Sequence, residues 1–175
     1  MPEHFAAIGM GSNLNHPLAN MNRAVSLLQA LPHCRQWRFS SLYESEAVDC
    51  PEPLTFLNAV AICQTDLEPL PLLDHLLNIE DQFGRERPYV NAPRPLDLDL
   101  LLFADQLCNQ PRLILPHPRM PMRLFVLEPL AELCPERVHP GNGQSISALL
   151  KHCRSGPHGV HGVTRCSQPW PDALF

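Results

Sequence analysis

The sequence predicts an α+β fold of ferredoxin-like type, an antiparallel sheet flanked by helices in an αβα sandwich. Three observations predict it. Segments with strand-like and helix-like apolar spacing follow one another as β α β β α β, then a short strand and two helices. The chain is 45% hydrophobic and 18% charged over 175 residues, enough for one packed core and unlike a disordered composition. Twenty prolines fall mostly between the apolar segments and read as stiffened loops.

Each element has its own warrant. "HFAAIGMGSNL" reads as a first strand that ends in a Gly-x-Gly turn at Gly9 and Gly11. In the next segment Leu18, Met21, Val25 and Leu28 keep helical spacing, and Pro17 suits a first helical turn. "CRQWRFSSLYES" and "TFLNAVAICQT" read as strands, with a bulge where the alternation of Trp37 and Phe39 shifts to Leu42. The linker between them is too long for a tight hairpin turn. "PLPLLDHLLNIEDQFGRE" places Leu72, Leu73, Leu76, Leu77, Ile79 and Phe83 on one broad helical face, and Gly84 is its stop. A loop, "RERPYVNAPRP", leads into the strand "DLDLLLF". "RLILP" is a short strand; "MRLFVLEPLAEL" and "SISALLKHC" are helices. The last stretch lacks periodicity, so residues 1–155 are expected as the domain and 156–175 as a C-terminal extension.

Charge and composition exclude some functions. A net charge of −5 argues against a generic nucleic-acid scaffold. No apolar run reaches the roughly 18–20 residues of a membrane span, and no secretory leader is visible. The seven cysteines are scattered without a CxxC pair, which predicts reduced thiols in a cytoplasmic protein.

Two aspartates stand out. Asp97 and Asp99 sit in an otherwise apolar strand, and residues two apart share a face. Paired carboxylates suit a hard divalent cation; they also suit the polar face of an edge strand, and the pair alone does not choose between these. Arginines crowd around them: Arg85, Arg87 and Arg94 upstream, Arg112, Arg119 and Arg123 downstream, with His117 among the latter. An acidic chain that gathers arginine about an acidic pair points to a metal together with a polyphosphate. No GxxxxGK[ST] occurs, so a Walker-type site is excluded. The tail's histidines and cysteines, from His152 to Cys166, fit no standard zinc spacing.

The pieces "AIGMGSNL", "SSLYES", "FLNAV", "FGRER", "PRPLDLDLLLF", "LPHPRM" and "RLFVLEPLAEL", in this order, make the chain resemble the 6-hydroxymethyl-7,8-dihydropterin pyrophosphokinases of folate biosynthesis. The resemblance covers about residues 5–140. It implies a ferredoxin-like fold and transfer of a whole pyrophosphoryl group from ATP to the pterin, releasing AMP. It implies that Asp97 and Asp99 hold two Mg2+ ions, and that Arg85 and Arg94 act on the transferring group. Glu80, Arg87, Arg112, His117 and Arg123 match nucleotide-contacting positions. Phe56 and Phe125 match a pair that sandwiches the pterin, Asn58 the amide that reads its edge, and Ser45 and Val48 the loop beside it. A monomer acting on small molecules, without nucleic acid or membrane, is expected. The lid departs from the family, having "NAPR" where a tryptophan is usual, and Asp49 replaces a glycine. The alternative function is a diverged paralogue that binds a pterin or nucleotide without efficient transfer. An unrelated metal-dependent nuclease fits Asp-x-Asp with arginines but leaves Phe56, Asn58 and Phe125 unexplained.

Overall fold

The computed structural model describes residues 2–13, 16–46, 55–84, 95–160, 162–167 and 170. Strand β1 (His4–Ser12) is followed by α1 (Pro17–Gln29), β2 (Cys34–Phe39), β3 (Tyr43–Glu46), β4 (Thr55–Thr65), α2 (Pro69–Gln82) and β5 (Asp97–Phe103). Then come β6 (Cys108–Gln110), β7 (Leu113–Leu115), α3 (Leu124–Leu133), α4 (Ile146–Ser155) and β8 (Val163–Arg165). The main sheet runs β5-β1-β4-β3-β8, and β2 also pairs with β4. Every pairing along it is antiparallel. Counting β2 and β3 as one interrupted strand, the βαββαβ unit is ordered fourth-first-third-second, which is the ferredoxin-like sheet.

The alternation of side chains sorts the core into two layers. Ile8, Met10, Ala59, Ala61, Leu98 and Leu100 pack beneath α1 and α2 through Met21, Val25, Leu28, Leu72 and Leu76. Ala7, Val60, Ile62, Leu101 and Leu102 face Val126, Leu127 and Leu130 of α3 and Ile146, Leu149 and Leu150 of α4. Leu101 and Leu102 can share a face because the β1–β5 register shifts at Ala7/Ile8. Ser145 caps α4 by accepting from Ala148 N–H at 3.1 Å.

Three sequence expectations change. The first strand does not end at Gly9; β1 runs through both glycines, which pair with Val60 and Asn58 of β4 and with Asp99 and Asp97 of β5. "CRQWRFSSLYES" is two strands, separated where Ser40 turns inward and accepts from Val60 N–H at 2.9 Å. The tail supplies β8, which pairs with β3 from Val163↔Ser45 to Arg165↔Tyr43. Trp170 then donates from Nε1 to Ser40 C=O at 3.0 Å.

Candidate active site

The register assembles one patch on the sheet face that carries α3. Asp97 pairs with Gly11, Gly11 with Asn58, and Asn58 with Tyr43; the next row holds Asp99, Gly9 and Val60. Directly paired residues point to the same side, so both carboxylates stand on this face while Leu98 and Leu100 enter the opposite core. The shared face predicted for Asp97 and Asp99 is therefore present. Asp99 is exposed and Asp97 half-buried.

The strand bearing the pair is held at three points. Glu80, buried on α2, accepts from Leu98 N–H at 3.0 Å through Oε2, so it caps the free edge of β5 between the two aspartates. Ser12 Oγ donates to Pro95 C=O, and Asn20 Nδ2 reaches the same carbonyl at 3.3 Å. These bonds set where β5 begins. No sequence pattern marked Ser12 or Asn20, because their partner lies 83 and 75 residues away.

At the far side of the pair, His117 N–H donates to Leu101 C=O at 2.9 Å, and its Nδ1 accepts from Arg119 N–H at 3.2 Å. A neutral ring bonded this way carries its proton on Nε2. Burial, with Arg123 and Arg119 nearby, holds the His117 pKa below its ordinary value, against the opposing pull of Asp99. Burial also lowers the Arg123 pKa, while Asp99 and Asp97 favour its charged form. Arg123 is the N-cap residue of α3, and its guanidinium carbon lies 5.4 Å from the centre of the Phe125 ring. His117 and Arg123 thus lie within electrostatic reach of the carboxylates, with the Phe125 ring beside Arg123. Arg112 stands apart, exposed and paired with Asp74 of α2.

Toward β3 the patch becomes polar and then aromatic. Asn58 is buried and donates from Nδ2 to Ser45 Oγ at 2.7 Å. Phe56, paired with Ser45, lies on the same face and is half-buried. Glu132 of α3 ties this edge to the helix: it accepts from Ser41 N–H, Ser41 Oγ at 2.7 Å, Tyr43 Oη at 2.8 Å and Arg165 Nη2 at 3.3 Å. The sequence reading missed Glu132, since nothing in a helical "AEL" announces a partner on a strand 89 residues away. Arg85, Arg87, Arg94 and Val48 lie outside the described residues.

The donor chemistry fits magnesium. The described residues contain no group of three or more His, Cys, Asp or Glu able to hold a metal ion. Two carboxylates on one face are hard oxygen donors, the usual protein contribution to a Mg2+–phosphate site in which phosphate oxygens or water complete the shell.

Residues 7–135 match the family model for 7,8-dihydro-6-hydroxymethylpterin-pyrophosphokinase. A 2-amino-4-hydroxy-6-hydroxymethyldihydropteridine pyrophosphokinase of Synechocystis is 37% identical over 170 residues, 97% of this chain and 81% of that protein. The Pseudomonas aeruginosa protein of the same name is 42% identical over 146 residues, 83% of this chain and 90% of its own length. A crystal structure of an HPPK-DHPS in complex with substrates superposes with a TM-score of 0.69 over 87% of this chain, at 14% identity. This chain spans 43% of that longer one, and the likeness shows the shared fold. On the family match and these two relatives, the chain belongs to the 7,8-dihydro-6-hydroxymethylpterin-pyrophosphokinase family.

Proposed function

We propose that the patch from Asp97 and Asp99 to Asn58 and Phe56 is where the chain carries out its reaction. That reaction is ATP-dependent transfer of a pyrophosphoryl group to 6-hydroxymethyl-7,8-dihydropterin in folate biosynthesis. The hydroxymethyl oxygen bonds to the β-phosphorus of ATP, the bond from that phosphorus to the α–β bridging oxygen breaks, and AMP leaves with the bridging oxygen. The hydroxyl proton is released.

The observation that carries this reading is the sheet register, which lines up the Asp97 carboxylate, a bare glycine and the Asn58 amide in one row, with Asp99 in the next. Asp97 and Asp99 would hold Mg2+, two ions in our reading, which when bound neutralise phosphate charge and make the hydroxyl a better nucleophile. His117 presents an Nε2–H and Arg123 a partly desolvated guanidinium, both suited to phosphate oxygens. Glu80 acts through the strand it caps, and Arg112 and Arg87 supply further charge to the nucleotide. Arg85 and Arg94 stabilise the transferring group as charge develops on it. Asn58 and Ser45, with Val48, read the polar edge of the pterin; Phe56 and Phe125 cover its faces.

The same reading takes residues 1–155 as the domain and 156–175 as its extension, of which 163–165 complete the sheet edge. It places a monomer in the cytoplasm, on the scattered cysteines, and gives it no nucleic-acid partner, on the acidic net charge. Among the described residues no helix is long and apolar enough to cross a membrane.

Purified protein with ATP, Mg2+ and 6-hydroxymethyl-7,8-dihydropterin tests the reading. AMP formed only when the pterin is present supports it; tight pterin binding without AMP supports the diverged paralogue instead.

A further inference from the structure

Glu132 stands where helix electrostatics disfavour it. It lies in the last turn of α3, the negative end of the helix, where a carboxylate is repelled and a cation is favoured. What it gains is a set of donors from outside the helix. Ser41 falls in the break between β2 and β3, and its N–H donates to the two Glu132 oxygens at 3.1 and 3.0 Å. Ser41 Oγ donates at 2.7 Å and Tyr43 Oη at 2.8 Å. Tyr43 is buried; burial and the hydrogen bond to Glu132 push its pKa up, so the hydroxyl keeps the proton it donates. Arg165 of β8 reaches the same carboxylate from the tail at 3.3 Å. One side chain thus joins α3, the β2–β3 break, β3 and the tail.

We infer that Glu132 is a positioning residue for the pterin side of the site. The inference rests on the site reading above. α3 is anchored through Leu124, Val126, Leu127 and Leu130, all buried. β3 is anchored less: it has four residues, and its outer neighbour β8 has three. Glu132 fastens the weaker element to the stronger one. Tyr43 pairs with Asn58 and Ser45 with Phe56, so the seat of β3 against the helix decides where the Ser45 hydroxyl stands. That hydroxyl accepts from Asn58 Nδ2 at 2.7 Å, which fixes how the amide presents its remaining atoms to the ring. Without the Glu132 carboxylate, β3 shifts together with the break at Ser41, and Asn58 loses the partner that orients it. Asp97 and Asp99 stand on β5, separated from β3 by β1 and β4, and keep their places.

Glu128 makes a control outside the site. It lies one turn earlier on α3, and Arg154 of α4 donates to its carboxylate from Nε at 2.8 Å and Nη2 at 2.7 Å. Removing it loosens one helix–helix tie of the same chemistry. The bonds from Ser41, Tyr43 and Arg165 to Glu132 stay in place.

The test compares wild type, Glu132→Ala, Glu132→Gln, Tyr43→Phe and Glu128→Ala, each well below its melting temperature. Two affinities are titrated. One is for α,β-methylene-ATP with Mg2+; the other is for 6-hydroxymethyl-7,8-dihydropterin with Mg2+ and saturating α,β-methylene-ATP. Glu132→Ala is expected to weaken pterin binding roughly tenfold, short of the ~100-fold that an ångström-sized misplacement costs, and to leave nucleotide binding within about twofold. Glu132→Gln retains an acceptor for the Tyr43 and Ser41 hydroxyls and is expected to recover most of the loss. Tyr43→Phe removes a single hydrogen bond and is expected to weaken pterin binding about threefold, with nucleotide binding unchanged. Glu128→Ala is expected to bind both ligands as wild type does. Unchanged pterin affinity in Glu132→Ala would overturn the inference, as would an equal fall in nucleotide affinity or an equal pterin loss in Glu128→Ala. Should Glu132→Ala fail to fold, Tyr43→Phe decides, and wild-type pterin affinity there overturns the inference. Failure of the wild type itself to bind the pterin would instead overturn the site reading.

Discussion

Replacing Glu80 with alanine probes the link between the fold and the acidic pair. Glu80 is 7% exposed, and its Oε2 accepts from the buried Leu98 N–H at 3.0 Å. A hydrogen bond to a charged group contributes about 1.5–3 kcal/mol, and orphaning a buried N–H costs about 1–3 kcal/mol. These overlap, so Glu80→Ala is expected to cost about 2–4 kcal/mol. For a chain of this size each kcal/mol moves Tm by about 2–4 °C, which gives a fall of roughly 5–15 °C. Glu80→Gln retains a carbonyl acceptor of the same reach and is expected to lose about 1 kcal/mol. Calorimetry gives the melting temperatures, and amide exchange in the peptide containing Leu98 gives the local effect. Exchange there should rise more than in β4, because the cap acts on the free edge of β5. A Glu80→Ala protein that melts within about 2 °C of wild type, with unchanged exchange at Leu98, would refute the argument that this carboxylate holds the strand.

Three other outcomes follow from named groups. Asp97→Asn and Asp99→Asn keep side-chain shape and should leave the melting temperature nearly unchanged, while kcat/KM falls at least about a hundredfold through lost charge stabilisation; near-normal AMP formation in either would remove the metal assignment. His139 is buried, its Nδ1 accepts from Gly141 N–H at 3.1 Å, and burial lowers its pKa. Below about pH 6.5 the unfolded chain takes up a proton that the native ring resists, so stability falls with pH by at most ~1.4 kcal/mol per unit. Denaturant melts from pH 7.5 to 5 should show a shallower fall in His139→Gln. The Cys34 thiol is lowered to about 7, chiefly by its hydrogen bond with Cys63 and also by one to Thr65. Site-resolved iodoacetamide labelling near pH 7 should find it the fastest of the described cysteines, and Cys63→Ala should slow it.

Periodicity made much of the fold legible. The spacing of Met21, Val25 and Leu28 and the unbroken apolar run of β4 depend on neighbours in sequence, and both elements stand where the pattern puts them. β6 and β8 have three residues each and no apolar pattern to read; pairing with β7 and β3 creates them. Gly9 and Gly11 misled for a related reason. A Gly-x-Gly pair looks like a turn when judged locally, and only the register shows two strands flanking it. In the site, the common face of Asp97 and Asp99 followed from strand geometry alone. The approach of His117 and Arg123 to that pair depends on how the segment leading into α3 and the helix itself pack on the sheet, which spacing along the chain does not fix. Glu80 read as a nucleotide contact, and its bond to Leu98 N–H became visible only with α2 docked against β5.

Whether two phosphates move together or one moves alone decides the central claim, and 31P NMR of a running reaction reads this directly. With ATP, Mg2+ and 6-hydroxymethyl-7,8-dihydropterin, the account predicts AMP resonances growing in equal amount with those of a pterin diphosphate. It predicts no growth of free pyrophosphate at the expense of the pterin product. Accumulation of ADP with a pterin monophosphate, or of AMP with free pyrophosphate and unchanged pterin, would contradict it.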